Sequence, residues 1–455
     1  MPFLPEDTIA AVATAPGAAA VSVIRVSGPA TKALLSTVFR PVGRGKAPFL
    51  PEPRRATLGQ VLDAAGHPLD EVLLTFFAGP RSYTGEDVAE FACHGGPLVT
   101  RLVLERILEC GARAAEPGEF SRRAFLGGKM DLTQAEAVMD LITAKTELAV
   151  RAAQAQLSGG LGQRIEAARA AVLEIVAHVE AWIDFPEEDI DPVTGALLQE
   201  KIALVRNRID GLLATADRGR ILREGLRTVI CGAPNVGKSS LLNRLLGYDR
   251  AIVSDVAGTT RDTIEEIINL RGIPLRLIDT AGLRESDDVL EQAGMARTLR
   301  QLDQAELVIH VVDASRPRGA GSDAPQVMAG TQVLTVLNKA DLGRHRDWEE
   351  VSGFPFSCAT GEGEAALVEA IFRLTGQTQA QWEGECVAIS LRHRDALRRA
   401  GEGLDAAAAL LEANAAGELA ALELREALDA LGEIVGRLDI EDILGEIFGR
   451  FCIGK

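Results

Sequence analysis

The chain has 455 residues, of which 47% are apolar, and a formal net charge of −17 at pH 7. This length suggests about three domains, each large enough for its own hydrophobic core. The acidic balance argues against broad, sequence-independent binding of nucleic acids. No apolar run reaches the ~18 residues of a membrane span, and the six cysteines lack metal-binding spacing. We therefore expect a cytoplasmic protein with reduced thiols and no membrane span.

The first 125 residues have the pattern of a mixed, strand-rich domain. Apolar runs bounded by glycine and proline turns predict strands at residues 18–26, 72–77 and 88–93. Two stretches with helical spacing accompany them, at residues 30–39 and 98–108. The sequence therefore predicts an N-terminal α+β domain over residues 1–125.

Helical periodicity begins near residue 131 and returns toward the C-terminus. Apolar residues recur every three or four positions at residues 161–183, 198–212 and 424–448. These stripes have no local partner, so we expect them to pack together as one discontinuous bundle. Its two parts are predicted to be residues 126–220 and 376–455. Two separate helical domains are the alternative.

The intervening residues 221–375 alternate strand and helix patterns, which predicts a parallel sheet covered on both faces. The segment Gly232-Ala-Pro-Asn235-Val236-Gly237-Lys238-Ser239-Ser240 follows an apolar run and precedes a helical pattern. It fits the phosphate-binding pattern G-x-x-x-x-G-K-[ST] in the required strand–loop–helix context. Backbone N–H groups would surround the phosphates, Lys238 would reach the β- and γ-phosphates, and Ser239 would bind Mg²⁺.

Three further segments follow in the order that a GTPase needs. Two end apolar runs, Asp279-Thr280-Ala281-Gly282 and Asn338-Lys339-Ala340-Asp341, and the third is Ser357-Cys358-Ala359. The Asp341 carboxylate would accept hydrogen bonds from guanine N1–H and the exocyclic amine, which adenine cannot offer as a pair. The third segment would donate a backbone N–H to guanine O6. Upstream, one threonine of Gly258-Thr259-Thr260 would complete the Mg²⁺ shell, and of the two we expect Thr260. The sequence therefore predicts a GTP-binding domain.

The catalytic centre departs from Ras-like switches, where a glutamine after Asp-x-x-Gly orients the attacking water. Leu283 holds that position here and cannot hydrogen-bond water. One interpretation is that the Asn235 amide oxygen binds a monovalent cation against the phosphates. A second is that an acid within residues 284–291 positions the water. The alternative is that Asn235 caps a turn and these acids are solvated surface.

Several motifs outside the nucleotide-binding segments resemble the MnmE (TrmE) family of bacterial and organellar tRNA-modification GTPases. The resemblance covers nearly the whole chain, and its motifs are Val23-Ile-Arg25-Val-Ser-Gly28, Tyr83-Thr-Gly-Glu-Asp87, Pro117-Gly-Glu-Phe-Ser121, Asp131-Leu-Thr-Gln-Ala-Glu136 and Phe451-Cys-Ile-Gly-Lys455. It implies a folate-binding and dimerising N-terminal domain, a helical domain and an inserted Ras-like GTPase.

The resemblance also implies an activity and its partners. Family members form homodimers and act with an FAD-dependent protein (MnmG, GidA), here as a heterotetramer, to modify C5 of the wobble uridine of certain tRNAs. The added group is of the carboxymethylaminomethyl type. A 5-formyl- or 5,10-methylene-tetrahydrofolate is the expected one-carbon donor. The matching folate-site positions are Arg25, Glu90, Lys129 and Lys455.

For catalysis, the resemblance implies potassium bound by Asn235 and by the loop over the nucleotide. That loop consists of Ser254, Asp255, Val256, Ala257, Gly258 and Thr259, of which Ser254, Val256 and Thr259 are the expected K⁺ ligands. Glu291 matches the acid that positions water, so the predicted catalytic residues are Glu291, Asn235 and Thr260. Ser254 stands where the family more often has threonine, a minor change because it keeps the hydroxyl.

A ribosome-assembly GTPase, which acts as a switch on ribosomal RNA, is the alternative function. Such proteins share the central domain but usually carry a basic RNA-binding module. The net charge of −17 and the folate-site residues oppose this alternative.

Overall fold

A computed structural model describes residues 6–43, 51–184, 195–247, 266–278, 302–319, 322–374, 388–413, 417–437 and 441–455. The chain divides into two compact units. The first combines Met1–Met139 with Asp429–Lys455, and the second is Asp140–Leu428.

The strands are, in chain order, β1 (Ile9–Val12), β2 (Val21–Ser27), β3 (Phe39–Pro41), β4 (Ala56–Leu62), β5 (Pro68–Phe77), β6 (Val88–His94), β7 (Arg113–Ala114), β8 (Leu226–Cys231), β9 (Glu266–Leu270), β10 (Ile273–Leu277), β11 (Leu307–Asp313), β12 (Gln332–Asn338) and β13 (Phe354–Pro355). The helices are α1 (Thr31–Val38), α2 (Pro97–Glu109), α3 (Glu119–Leu126), α4 (Leu132–Thr143), α5 (Glu147–Leu157), α6 (Gly160–Asp184), α7 (Gly195–Leu213), α8 (Ala216–Glu224), α9 (Lys238–Leu246), α10 (Glu364–Leu374), α11 (Leu391–Glu412), α12 (Gly417–Val435) and α13 (Glu441–Gly449).

The first unit is built on a seven-stranded sheet with the order β3-β4-β5-β6-β2-β1-β7. Alternation along its strands sends one set of side chains into a core, because successive residues of a strand point to opposite faces. Ile24, Leu74 and Phe91 lie in that core, together with Leu34 of α1 and Val103 of α2. The opposite face carries Arg25 and Glu90, which are directly paired across β2 and β6.

A buried arginine connects distant parts of the first unit. The Arg123 side chain on α3 is 1% exposed and forms ion pairs with Asp7 at 2.7 Å, Glu119 at 2.9 Å and Glu86 at 3.2 Å. Arg113 adds a 2.6 Å pair with Glu119. Burial alone would raise the pKa of Asp7 and of Glu119, but hydrogen bonds from the two arginines outweigh it and lower both pKa values. The cluster fixes α3 against the segments that precede β1 and β6.

In the second unit, helices from both sides of the nucleotide-binding segment pack together. Arg206 Nε on α7 lies 3.0 Å from each carboxylate oxygen of Asp405 on α11. Gln199 Nε2 donates to the Ala408 carbonyl oxygen at 2.7 Å. Arg425 of α12 pairs with Glu180 of α6 at 2.6 Å. These contacts join helices that precede the nucleotide-binding segment to helices that follow it, as a discontinuous bundle requires. The predicted bundle also included residues 126–139 and 429–455, which group with the first unit instead.

The nucleotide-binding segment forms a six-stranded sheet with the order β13-β12-β11-β8-β10-β9. Neighbouring strands are parallel except for β9, which is antiparallel to β10. Residues 307–312 of β11 are all buried, as expected for a parallel strand covered on both faces. This topology confirms the predicted doubly wound domain, and it brings the carboxyl ends of β8, β11 and β12 together.

The predicted elements of the N-terminal region are confirmed with shifts of a few residues at their ends. Strand β4, which mixes glycine and polar residues, was not predicted. Helix α11 was also not predicted, since three of its first four residues are Arg392, His393 and Arg394. The predicted domain boundaries remain a prediction, and one of them, at residue 221, lies inside α8. Within the described ranges, no helix is long and apolar enough to cross a membrane.

Replacing Arg123 with alanine should destabilise the first unit by about 3 kcal/mol, because buried carboxylates lose their partner. Calorimetric melting of the full chain measures this loss. Arg101→Ala, which removes an exposed arginine paired with Glu105, is the matched control and should leave the melting temperature nearly unchanged.

The same loss should depend on pH with a defined sign. The lowered pKa values of Asp7 and Glu119 mean that their stabilisation is present above the unfolded pKa values, near pH 4, and is lost as the pH falls through the folded values. The difference between wild type and Arg123→Ala should therefore shrink on acidification. A difference that stays constant between neutral pH and pH 3 would contradict this account.

Candidate functional site

The phosphate loop connects the end of β8 at Cys231 to the start of α9 at Lys238. Gly232 and Gly237 have φ values of 146° and 101°, which side chains rarely adopt. A Cβ at Gly232 would overlap the Val311 carbonyl oxygen, and one at Gly237 would overlap the Asn338 side chain. Both positions therefore require glycine. The glycines let the loop pack closely against β11 and Asn338. The loop then leads into the N-terminus of α9, where the backbone N–H groups and the helix dipole favour the phosphates of a nucleotide.

Three residues of the loop, Asn235, Lys238 and Ser239, are candidates for binding the phosphates and their metal ions. Asn235 adopts a left-handed φ of 63°, a conformation that asparagine tolerates better than most residues. Lys238 Nζ donates to the Ala233 carbonyl oxygen at 2.9 Å, so its ammonium group folds back over the loop. Ser239 follows in the first turn of α9, the position from which a hydroxyl reaches a nucleotide-bound Mg²⁺.

Asn338 joins the phosphate loop to the loop predicted to contact guanine. It ends β12 and is 2% exposed. Its Nδ2 donates to the Val236 carbonyl oxygen at 2.7 Å, and its Oδ1 accepts from the Cys358 backbone N–H at 3.2 Å. One buried side chain therefore sets the spacing between the phosphate-binding and base-binding segments.

The Asp341 carboxylate is held in place by residues 356–360, which include the segment predicted to contact guanine. Its Oδ1 accepts from Ser357 Oγ at 2.5 Å, and Ser357 Oγ in turn accepts from the Thr360 N–H at 3.1 Å. The Ala340 N–H donates to the Phe356 carbonyl oxygen at 3.0 Å. Asp341 thus presents a fixed carboxylate, as recognition of two guanine N–H groups requires.

Lys339 and Asp313 form an ion pair that was not predicted from the sequence. Lys339 has a left-handed φ of 64°, and its Nζ lies 2.6 Å from Asp313 Oδ2 at the end of β11. Burial would raise the pKa of Asp313, but hydrogen bonds from Lys339 and Ser315 outweigh it and lower the pKa. Asp313 ends an apolar run just as Asp279 does, so the same sequence pattern could have identified Asp313 as a candidate site residue.

Many of the predicted nucleotide and metal residues lie outside the described residues. They are Ser254, Asp255, Val256, Ala257, Gly258, Thr259, Thr260, Asp279, Thr280, Ala281, Gly282 and Glu291. Of the remaining predicted residues, Val236, Gly237 and Cys358 lie against Asn338. Ser239 is the described part of the expected Mg²⁺ site. In the described part of the chain, no group of three or more His, Cys, Asp or Glu side chains forms a metal-ion cage.

A second cluster of predicted residues lies in the first unit. Arg25 pairs with Glu90 at 2.8 Å, and its Nη1 donates to the Gly454 carbonyl oxygen at 3.4 Å. The Arg25 guanidinium lies over the Tyr83 and Phe120 rings, 5.2 and 5.7 Å from their centroids. Neither ring was predicted for this site.

The C-terminal residue Lys455 belongs to the same cluster. Burial, followed by the neighbouring positive charge of Arg25, lowers the pKa of Lys455, while Glu90 opposes the shift. Lys129 makes a different contact, since its Nζ donates to the Pro80 carbonyl oxygen at 2.9 Å. Three of the four predicted folate residues, Arg25, Glu90 and Lys455, therefore lie close together.

Comparisons with known proteins match nearly the whole chain to one family. Residues 8–129 match the family described as GTP-binding protein TrmE N-terminus, and residues 132–452 match the MnmE helical domain. The tRNA modification GTPase MnmE of Akkermansia muciniphila is 52% identical over 452 residues, which cover 99% of each chain. The protein of the same name from Geobacter sulfurreducens is 47% identical over 457 residues, again 99% of each.

Replacing Asp341 with asparagine should weaken GDP binding by at least about 100-fold, because an amide N–H would face the guanine donors. Binding of xanthosine diphosphate, which offers a carbonyl at position 2, should improve. The asparagine oxygen can still accept from Ser357, so the loop is preserved. Titration calorimetry with both nucleotides measures the change, and an unaltered GDP-to-XDP preference would remove Asp341 from base recognition.

Proposed function

The chain belongs to the MnmE family of tRNA modification GTPases, and from this premise we propose a potassium-stimulated GTPase that modifies wobble uridine. GTP hydrolysis and a role in tRNA modification follow from family membership. The observation that carries the nucleotide assignment is the Asn338 side chain, which joins the phosphate loop to the base-binding loop. The details of cation, folate, partner and tRNA chemistry are our proposal.

The described residues would divide the work of binding GTP. Lys238 would leave the Ala233 carbonyl for the β- and γ-phosphates, where the N–H groups of the glycine-rich loop converge. Asp341 and Ser357-Cys358-Ala359 would contact the base. Asn338 would hold these two regions at the separation of a guanine nucleotide.

Catalysis requires a substitute for the glutamine that Leu283 replaces. Bound Mg²⁺ and K⁺ would supply positive charge against the phosphates as negative charge develops in the transition state. Asn235, in its left-handed conformation, would orient its amide oxygen toward K⁺, with Ser254, Val256 and Thr259 as the other proposed ligands. Ser239 and Thr260 would bind Mg²⁺, and Glu291 would position the water.

The Arg25 cluster supports the proposed tetrahydrofolate site. The Glu90 carboxylate keeps 30% of its side chain exposed, so it can accept hydrogen bonds from N–H groups of a pteridine ring. Arg25 and Lys455 place two cationic groups beside it, which suits the carboxylates of a folate tail. The rings of Tyr83 and Phe120 provide flat apolar surface next to these charges.

The proposed assembly is a cytoplasmic homodimer that forms a heterotetramer with an FAD-dependent protein and acts on tRNA. The net charge of −17 supports a role for such a partner in tRNA binding, because an acidic chain lacks a general affinity for phosphates. The added group would be carboxymethylaminomethyl-like, at C5 of uridine 34.

Replacing K⁺ with Na⁺ should lower the GTPase rate at least about tenfold, because the smaller ion fits the ligand set poorly. Asn235→Gly should show the low rate in both salts. Glycine keeps the left-handed backbone without strain, so the variant removes the amide alone. Phosphate-release assays at equal ionic strength measure these rates. Equal wild-type rates in the two salts, or full stimulation of the variant, would exclude the role of Asn235.

Deleting the gene from its host should remove the C5 modification from wobble uridines, and the wild-type gene should restore it. Mass spectrometry of nucleosides from total tRNA measures the change. The Lys238→Ala variant should fail to restore the modification, since its phosphate site is disabled. An unchanged tRNA profile together with accumulated ribosomal precursors would instead support the ribosome-assembly alternative.

A further inference from the structure

The base-binding loop, residues 357–361, is held from two sides. On one side are the contacts already described, from Asn338 to the Cys358 N–H and from Ser357 to Asp341. On the other side lies Arg244, in the last turn of α9. Because α9 is the helix that begins at the phosphate loop, Arg244 connects the same two regions along a second route.

Arg244 makes directional contacts with both the loop and the helix that follows it. Its Nε donates to Glu364 Oε2 at 2.7 Å, and its Nη1 donates to the Cys358 carbonyl oxygen at 3.1 Å. The guanidinium also lies against Gly361, where φ is 86° and a Cβ would overlap Arg244 Nη2. The arginine is 32% exposed and the glutamate 21%, so neither is a freely solvated surface group.

The contact with Cys358 has a consequence for its neighbour. The Cys358 carbonyl and the Ala359 N–H belong to one peptide unit, which is planar and trans. Their C=O and N–H bonds therefore point in opposite directions. A donor that fixes the carbonyl also fixes the direction of the N–H, and it polarises the peptide so that this N–H becomes a better donor.

We propose that Arg244 is a positioning residue that aims the Ala359 N–H at the atom on purine position 6. This inference rests on the proposed nucleotide site, in which Ser357-Cys358-Ala359 faces guanine O6. Glu364 holds the guanidinium in the orientation that reaches Cys358, so it is the second member of the pair. An ion pair serving only stability would need Glu364 but not the second hydrogen bond, to a backbone carbonyl in the base-binding loop.

The test compares three nucleotides that differ at single positions of the base. 6-thio-GDP replaces the oxygen at position 6 with sulfur, a weaker acceptor, and IDP lacks the exocyclic amine that Asp341 would bind. Dissociation constants from calorimetry give two ratios for each protein, one reporting on position 6 and one on position 2. Loss of a positioned hydrogen bond corresponds to about a three- to tenfold change.

Arg244→Ala should lower the preference for GDP over 6-thio-GDP by that factor, while the preference for GDP over IDP changes by less than about twofold. Arg244→Lys should also lose position-6 preference, because one ammonium group cannot reproduce the guanidinium fork. Arg373→Ala is the matched control, since Arg373 is an exposed arginine on α10 that pairs with Glu369. It should leave both ratios unchanged.

Two outcomes would overturn the proposal. In one, both ratios and all affinities of the Arg244 variants fall in parallel, which indicates a purely structural role. In the other, both ratios stay at their wild-type values. If the wild-type protein itself does not prefer GDP over IDP, the proposed base site is wrong as well. That result is seen in the wild type alone, so it is distinguishable from the two outcomes for the Arg244 variants. Melting temperatures identify any variant that does not fold, and Arg244→Lys, with charge retained, then carries the test.

Discussion

The two hydrogen bonds of the Asn338 side chain are the constraint on which the nucleotide site depends. The amide is buried, so both its donor and its acceptor must be satisfied inside the protein. It satisfies them with the Val236 carbonyl and the Cys358 N–H, which belong to loops 122 residues apart in sequence. The sheet makes this possible, because β12 is adjacent to β11 and β11 to β8, with Asp313 opposite Asn338. Strand order therefore determines the geometry of nucleotide recognition.

The sequence predicted those parts of the site whose geometry is local. The phosphate loop is a short turn between a strand and a helix, and its glycines are required by neighbouring atoms, so its pattern is visible in eight consecutive residues. Asn338 and Asp341 were predictable for a similar reason, since they lie at and just after the end of β12, whose last three residues are buried. Ser357 follows the short apolar segment Phe354-Pro-Phe. Arg244 was not, because its partners Cys358 and Glu364 are more than 100 residues away. An arginine in the last turn of a helix has many ordinary explanations until its contacts are known.

In the first unit, too, contacts between residues far apart in sequence could not be predicted. Two of its arginines, Arg25 and Arg123, illustrate this. Arg25 and Arg123 both pair with carboxylates, and neither role can be read from periodicity. Arg123 has three acidic partners and its side chain is 1% exposed, so its charge stabilises the fold and is not available to a ligand. Arg25 has Glu90 alone as a carboxylate partner among its described contacts, and it borders aromatic rings and the last residues of the chain. Only the family resemblance singled out Arg25 and Lys455 in advance, since a lysine at the last position looks like an ordinary chain end.

The insertion of the nucleotide domain into the helical bundle also has a physical basis in the second unit. The chain enters that domain through α8, and the segment before α11 follows the domain. These two connecting segments are in contact. Arg223 donates to the Ile389 carbonyl oxygen at 2.7 Å, and Gly219 leaves no room for a side chain beside the Ile389 backbone. Arg220 of α8 pairs with Glu306, before β11, at 2.6 Å. Because entry and exit are adjacent, a complete domain can be inserted without separating the helices on either side. The same contacts connect α8 directly to the sheet, so the bundle meets the nucleotide domain at the end of β11 opposite Asp313.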